Sequence, residues 1–204
     1  IDLFGTTNES LEITFVKPFW ESLINTILFD LIAVPLLMII PLLLAQLINY
    51  HPPGYKFFRA VLYMPVIVSI TVAGMMFTSI FGESSTGLIN GLFGTNIRFL
   101  TDTGWRWFVM IILSVWWQTG TNFVIFSAGL RDIPQSLYEA CEVDGGGKLS
   151  KFFHVTLPGL RGQIDLCLFS TLINYLNLYG QPSVIRGATI YDTMFDSPMM
   201  LIQY

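Results

Sequence analysis

Four long runs with almost no charged side chains dominate the sequence, and they limit the folds that this chain can adopt. Three runs, 60–81, 107–130 and 166–185, contain no charged residue, and the fourth, 27–48, contains only Asp30. A helix of about 20 apolar residues is long enough to cross ~30 Å of hydrocarbon. We therefore predict an all-α fold, a polytopic transmembrane helical bundle with four spans over these runs.

The composition favours the same class of protein. Charged residues make up 12% of the 204 residues, whereas a soluble domain has about a quarter. A net charge of −4 argues against a nucleic-acid partner, because nucleic-acid binding depends on a basic surface. Cys141 and Cys167 have no neighbours at metal-ligand spacing, so we expect no metal site, and nothing in the sequence indicates a cofactor.

The distribution of lysine and arginine predicts the orientation of the spans. The connectors 49–59 and 131–161 lie on one side and carry six of the ten basic residues. The segments 1–26, 82–106 and 186–204 lie on the other side and carry four over a greater length. The positive-inside rule therefore places 131–161 in the cytoplasm.

The connector 82–106 is polar and rich in glycine, and we expect it to lie along the membrane surface. Its apolar residues would dip into that surface: Leu88, Ile89, Leu92 and Phe93.

Residues 131–158 interrupt the apolar pattern, and we call them the coupling loop. Asp132 and Pro134 predict the cap and first turn of a helix that runs through Val143. Gly145 is suited to end that helix in a left-handed conformation, while Gly146 and Gly147 read as ordinary turn residues. One face of this helix carries three residues at i, i+3 and i+4 spacing: Leu137, Ala140 and Cys141.

The coupling loop carries a set of residues at defined spacing: Glu139, Ala140, Cys141, Gly145, Val155, Leu157 and Pro158. They resemble the EAA loop of bacterial ABC importer permeases, whose motif is E-A-A, three residues, G, nine residues, I, one residue, and L-P. Cys141 and Val155 depart from the pattern by small apolar changes. The flanks resemble the MalF-like or UgpA-like carbohydrate-uptake branch, in NTILF at 25–29, FFRAVLYMP at 57–65, GLRDIPQSLYEA at 129–140 and HVTLPGLR at 154–161.

The resemblance implies a type I ABC importer permease core with a cytoplasmic coupling helix, in the bacterial cytoplasmic (inner) membrane. In that family the helix docks in a cleft of a cytoplasmic ATPase dimer, so the chain would not itself be an enzyme. Glu139 would pair with basic groups, Ala140 and Cys141 would form the packing surface, and Gly145 would allow the turn. Further implied partners are a second, different permease and an extracytoplasmic solute-binding protein. Since the family core has six spans, we expect one helix before Ile1 and one after Tyr204 to be missing.

Polar residues on the third and fourth spans predict a transport path for an uncharged sugar. Ser170, Asn174, Asn177 and Gln181 are spaced to form one stripe along a continuous helix, and a second group comprises Trp117, Gln118, Thr121 and Asn122. Amides can bind sugar hydroxyls and an aromatic can stack on the ring. The alternative is that these amides form hydrogen bonds between helices.

Two other functions fit the same sequence. The importer could carry another solute, such as glycerol phosphate or a peptide. A membrane scaffold or sensor, whose coupling loop recruits a partner other than an ATPase, is the alternative outside transport.

Overall fold

The chain folds into helices joined by short connections. The computed structural model describes residues 17–83, 87–177 and 180–185, and no strand occurs in these ranges. The all-α prediction is thereby confirmed. The helices are α1 Lys17–Asn49, α2 Tyr55–Ile67, α3 Ile70–Ile80, α4 Leu88–Phe93, α5 Thr103–Asp132, α6 Gln135–Val143, α7 Lys148–Lys151, α8 Leu157–Gly159, α9 Arg161–Leu176 and α10 Gly180–Ile185, with a π-helical segment at Phe152–Thr156.

Within the described ranges, two helices are long and apolar enough to cross a membrane. They are Leu23–Asn49 in α1 and Gly104–Asp132 in α5, which contain the predicted spans 27–48 and 107–130. The terminal segments 1–16 and 186–204, which contribute to the predicted orientation, lie outside the described residues.

The segments predicted as the second and fourth spans are not continuous helices. The run 60–81 is divided between α2 and α3, which meet at a bend of 103°. The two helices form a single span only if a span may contain this bend. Val68 adopts an extended conformation at the bend. The run 166–185 is divided between α9, whose 16 residues extend about 24 Å, and the short α10.

One packed group comprises the described parts of 1–33, 70–114 and 173–204. Phe29 packs between two aromatic residues in it, with its ring centroid 5.8 Å from that of Trp107 and 6.0 Å from that of Tyr175. The Tyr175 hydroxyl donates a hydrogen bond to the Ser114 carbonyl at 3.3 Å. Aromatic packing and this bond join α1, α5 and α9 within the group.

The other packed group comprises 34–69 and 115–172. Its core is formed by buried apolar side chains of α1, α5 and the start of α9, among them Leu42, Ala45, Phe123, Phe126 and Leu160. At two points α5 carries glycine where a neighbour approaches closely. A Cβ on Gly120 would lie 2.8 Å from the Leu62 carbonyl oxygen, and one on Gly129 would lie 2.7 Å from the Leu160 side chain.

We expect Gly120→Ala to destabilise the protein, because its methyl group would overlap the α2 backbone and not merely a mobile side chain. The matched control is Gly162→Ala in α9, where a Cβ meets nothing within 4 Å. Alanine is favoured over glycine in a helix by about 1 kcal/mol, so this control should not lower the melting temperature. Thermal unfolding in detergent measures both variants, and equal melting temperatures would contradict the close α5–α2 packing.

Candidate functional site

The helix α6 of the coupling loop has one exposed side and no fully buried residue. It runs from Gln135 to Val143, and none of its residues is buried. Glu139 and Ala140 are exposed, and Val143 is 87% exposed. The predicted capping differs in detail, since Asp132 is the last residue of α5 and Pro134 takes the N-cap position of α6. Proline has no N–H to leave unpaired there, which suits the start of a helix.

The opposite side of α6 is tied to the rest of the coupling loop. The Tyr138 hydroxyl lies 3.1 Å from the Thr156 Oγ1, and the Glu142 carboxylate forms an ion pair with Lys151. The Cys141 Sγ lies 3.8 Å from the Ser150 Oγ. Cys141 is thus half-buried inside its own loop. The EAA resemblance implied that Ala140 and Cys141 together form an outward packing surface. Of these two residues, only Ala140 is exposed.

The three glycines after α6 differ in what they require. Gly145 has φ +79°, the left-handed conformation predicted for the end of the helix. Gly146 donates its N–H to the Cys141 carbonyl at 2.7 Å, and a Cβ there would overlap the Cys141 side chain. A Cβ on Gly147 would meet nothing within 4 Å. Gly146 therefore has a steric role that its interpretation as an ordinary turn residue missed, and part of that role depends on the position of the Cys141 carbonyl oxygen, which the sequence does not reveal.

The second half of the coupling loop leads into α9 through α7, the π-helical segment and α8. Thr156 is fully buried, Val155 and Leu157 are half-buried, and Pro158 is exposed. Leu157 packs against the buried core of its group. Pro158 cannot donate a backbone hydrogen bond, and a π-helical turn just before it is a common local adjustment to such a break in the bonding pattern. The sequence did not predict this segment.

Asn122 bonds to the backbone of another helix. Its side chain is fully buried, and Nδ2 donates to the Leu37 carbonyl at 2.9 Å and to the Thr171 Oγ1 at 3.3 Å. Leu37 lies four residues before Pro41, which has no N–H to complete the α1 bonding pattern. Asn122 thus supplies the donor that Pro41 lacks, so the alternative of a bond between helices is the one observed for this residue.

Trp117 has a similar role at the bend between α2 and α3. Its indole Nε1 donates to the Val68 carbonyl at 2.9 Å, at the residue where the helix is broken. A tryptophan N–H can make one such bond, so this donor is already engaged. Of the other α5 candidates, Gln118 is buried and Thr121 is half-buried.

The polar stripe predicted along 166–185 is interrupted. Ser170 and Asn174 lie on α9, but Asn177 follows its last residue and donates Nδ2 to the Ile173 carbonyl at 2.8 Å. An asparagine that bonds the preceding turn in this way satisfies a carbonyl at a helix end. Gln181 lies on α10 and is buried, whereas Asn174 and Asn177 are exposed. The Ser170 hydroxyl donates to the Cys167 carbonyl at 3.1 Å.

We expect Asn122→Leu to lower the free energy of unfolding by about 1–3 kcal/mol, because it leaves the Leu37 carbonyl without a donor. Asn174→Leu makes the same change at an exposed position and should have little effect. The sharper measurement is a double-mutant cycle with Pro41→Leu, which restores a backbone N–H to α1. Asn122→Leu should then cost less in the Pro41→Leu background, and strictly additive effects would contradict the assignment.

Alanine substitutions at the three glycines 145–147 form a second set of variants, in which Gly147→Ala is the control. Gly145→Ala should destabilise the coupling loop by about 1–2 kcal/mol, since alanine is strained in the left-handed region. Gly146→Ala should also be unfavourable, because its methyl group would overlap both the sulfur and the backbone carbonyl oxygen of Cys141, and Cys141→Ala should relieve only the overlap with the sulfur. Gly147→Ala should be tolerated. Hydrogen exchange of the loop amides measures the ranking, and equal protection in all three variants would contradict it.

Comparison with known proteins identifies the family. The family model "Binding-protein-dependent transport system inner membrane component" matches residues 10–196. The arabinooligosaccharides transport system permease protein AraP of Halalkalibacterium halodurans is 34% identical over 184 residues, which cover 87% of this chain and 54% of that protein. The lactose transport system permease protein LacF of Rhizobium radiobacter is 31% identical over 170 residues, which cover 80% and 56%.

Solved structures show the same fold. A chain of a bacterial alginate ABC transporter, in complex with an alginate pentasaccharide-bound periplasmic protein, superimposes with a TM-score of 0.73 and 22% identity over 90% of this chain and 63% of that one. The present chain spans about half the length of the curated relatives that it matches. On the family match over most of its residues, the chain belongs to the inner membrane components of binding-protein-dependent transport systems.

Proposed function

We propose that this chain is the membrane-spanning permease subunit of an ATP-driven, binding-protein-dependent sugar importer in the bacterial cytoplasmic membrane. The observation that carries the proposal is α6, a helix with no buried residue that is nevertheless fixed to its own loop by the Tyr138–Thr156 contact. An exposed helix with an ordered base is suited to dock on another protein. ATP hydrolysis would then belong to that partner.

The exposed side of α6 fits a groove on a cytoplasmic ATPase dimer. Ala140 and Val143 offer small apolar contacts, and Glu139 offers a carboxylate that pairs with a basic group of the ATPase. Glu142 is already paired with Lys151, so Glu139 is the carboxylate of the motif that remains for the partner. A second, different permease chain and an extracytoplasmic solute-binding protein complete the proposed assembly.

Sugar is the favoured solute because the candidate path carries amides and no fixed charge. Asn174 and Asn177 present exposed amides, and Gln118 and Thr121 of α5 are further candidates. In the described parts of 107–130 and 166–185 there is no lysine or arginine, which a phosphorylated solute would call for. The names of the relatives AraP and LacF, both sugar transport system permeases, support the same class.

We expect Glu139→Lys to reduce sugar uptake by at least about tenfold in proteoliposomes that contain the assembled transporter, because it places like charges at the docking site. Sugar-stimulated ATP hydrolysis should fall in parallel. Glu142→Lys changes the same residue type three positions away, and it should be milder because the exposed ion pair with Lys151 contributes little. Copurification of the ATPase gives an independent measurement of docking.

Three results would overturn different parts of the proposal. If Glu139→Lys and Gly145→Pro both retained uptake and ATPase copurification, the coupling role of the loop would be wrong. If copurification of a partner without ATPase activity depended on Glu139, the scaffold or sensor function would replace transport. Uptake of peptides with no uptake of oligosaccharides would retain the importer and replace its solute.

A further inference from the structure

The short helix α4 exposes three large apolar side chains, which we call the apolar ridge. Leu88, Leu92 and Phe93 are 57%, 77% and 75% exposed. The six residues of α4, LINGLF, include no charged side chain. A connector in contact only with water would not gain from this arrangement, since exposed apolar surface is unfavourable.

Asn90 makes the base of α4 rigid by using its full hydrogen-bonding capacity. Its Nδ2 donates to the carbonyls of Gly82 and Ile97, both at 2.9 Å. Its Oδ1 accepts from the Thr95 hydroxyl at 2.9 Å and from the Ile97 N–H at 3.1 Å. The side chain is 2% exposed. The polar residue of α4 is thus turned inward, and the apolar ridge is held outward by a fixed base.

The connector that carries the apolar ridge is joined to the start of the α5 span by aromatic contacts. Trp105 and Phe108 are 42% and 47% exposed in the first turns of the span that begins at Gly104. Edge-to-face contacts link them to the connector, with ring centroids 5.8 Å apart for Trp105 and Phe108 and 5.2 Å apart for Phe99 and Trp105. Phe99 in turn contacts Phe81 at 5.4 Å. Exposed aromatic residues at the end of a span are typical of the membrane–water interface.

The polar groups beside this aromatic chain are paired within the connector. The Arg106 Nε donates to the Leu100 carbonyl at 2.8 Å, and Glu83 is hydrogen-bonded to Thr101. Arg106 is buried, so its charge is directed at backbone carbonyls and away from the apolar surface. The other charged residues of the connector, Arg98 and Asp102, are exposed and lie outside α4.

We propose that α4 is an interfacial anchor whose apolar ridge is buried in the phospholipid of the same membrane that α5 spans. The occupant is lipid because the ridge is uncharged and belongs to the connector whose Phe99 packs on the exposed Trp105 at the end of the span, the level at which the acyl chains begin. A solute-binding protein that docks and leaves would return the ridge to water in each cycle. The anchor fixes the connector at the membrane surface whichever solute is carried.

The test is the environment of a nitroxide label on the apolar ridge. Leu92→Cys is labelled in a Cys141→Ala background, with the buried Cys167 retained, and Asn96→Cys is the matched control at an exposed polar position of the same connector. The full chain, with its copurifying subunits, is placed in liposomes of phosphatidylethanolamine and phosphatidylglycerol. Power saturation then compares relaxation by oxygen, which concentrates in hydrocarbon, with relaxation by a water-soluble nickel chelate.

We expect oxygen to relax the label at position 92 more than the nickel chelate does, and the order to reverse at position 96. Leu88→Cys provides a second label on the apolar ridge and should behave as position 92 does. Equal access of the chelate to positions 92 and 96 would overturn the proposal in favour of a water-facing ridge. Shielding of positions 88 and 92 from both reagents would overturn it in favour of a protein partner.

Discussion

A backbone carbonyl without a donor is the constraint on which this bundle depends. In hydrocarbon there is no water to satisfy such a group, so each helix interruption must be repaired by protein. Pro41 interrupts the α1 bonding pattern at the Leu37 carbonyl, and the bend after α2 releases the Val68 carbonyl. Both receive a donor from α5, from Asn122 and Trp117. Because the Asn122 side chain is short, α5 must pass close to α1 there, and Gly120 and Gly129 permit close approaches of α5 to other neighbours.

The same constraint divides the polar residues of the spans into two kinds. A side chain whose N–H already bonds a helix carbonyl cannot give that N–H to a solute without leaving the carbonyl unpaired. Asn122 and Trp117 therefore support the helices, and the proposed transport path would use polar groups such as the exposed amides of Asn174 and Asn177. The Asn177 Nδ2 donates to the Ile173 carbonyl at the end of α9. The side-chain oxygen Oδ1 of Asn177 is therefore the atom suited to accept a hydrogen bond from a hydroxyl group of a sugar.

The sequence could predict the features that depend on local spacing. Uncharged runs predicted α1 and α5, and the motif spacing predicted α6 and the left-handed Gly145. It could not predict the donors, because Asn122 and Leu37 are 85 residues apart and Trp117 and Val68 are 49 apart. No glycine or proline stands at Val68 to indicate the bend. Helical periodicity placed Cys141 on an apolar face, but whether that face meets a partner or the loop itself depends on tertiary contacts.

The coupling loop shows why a flexible sequence can still transmit a displacement. Three consecutive glycines follow α6, so the backbone alone would be a poor connection between α6 and α9. The Tyr138–Thr156 contact bypasses them, since it joins α6 directly to the fully buried end of the π-helical segment. From there Leu157 and Leu160 are packed in the core that includes α5. In the proposed coupling role, a displacement of α6 would reach the helices through these side-chain contacts, and the glycines would allow the sharp turn without separating its two sides.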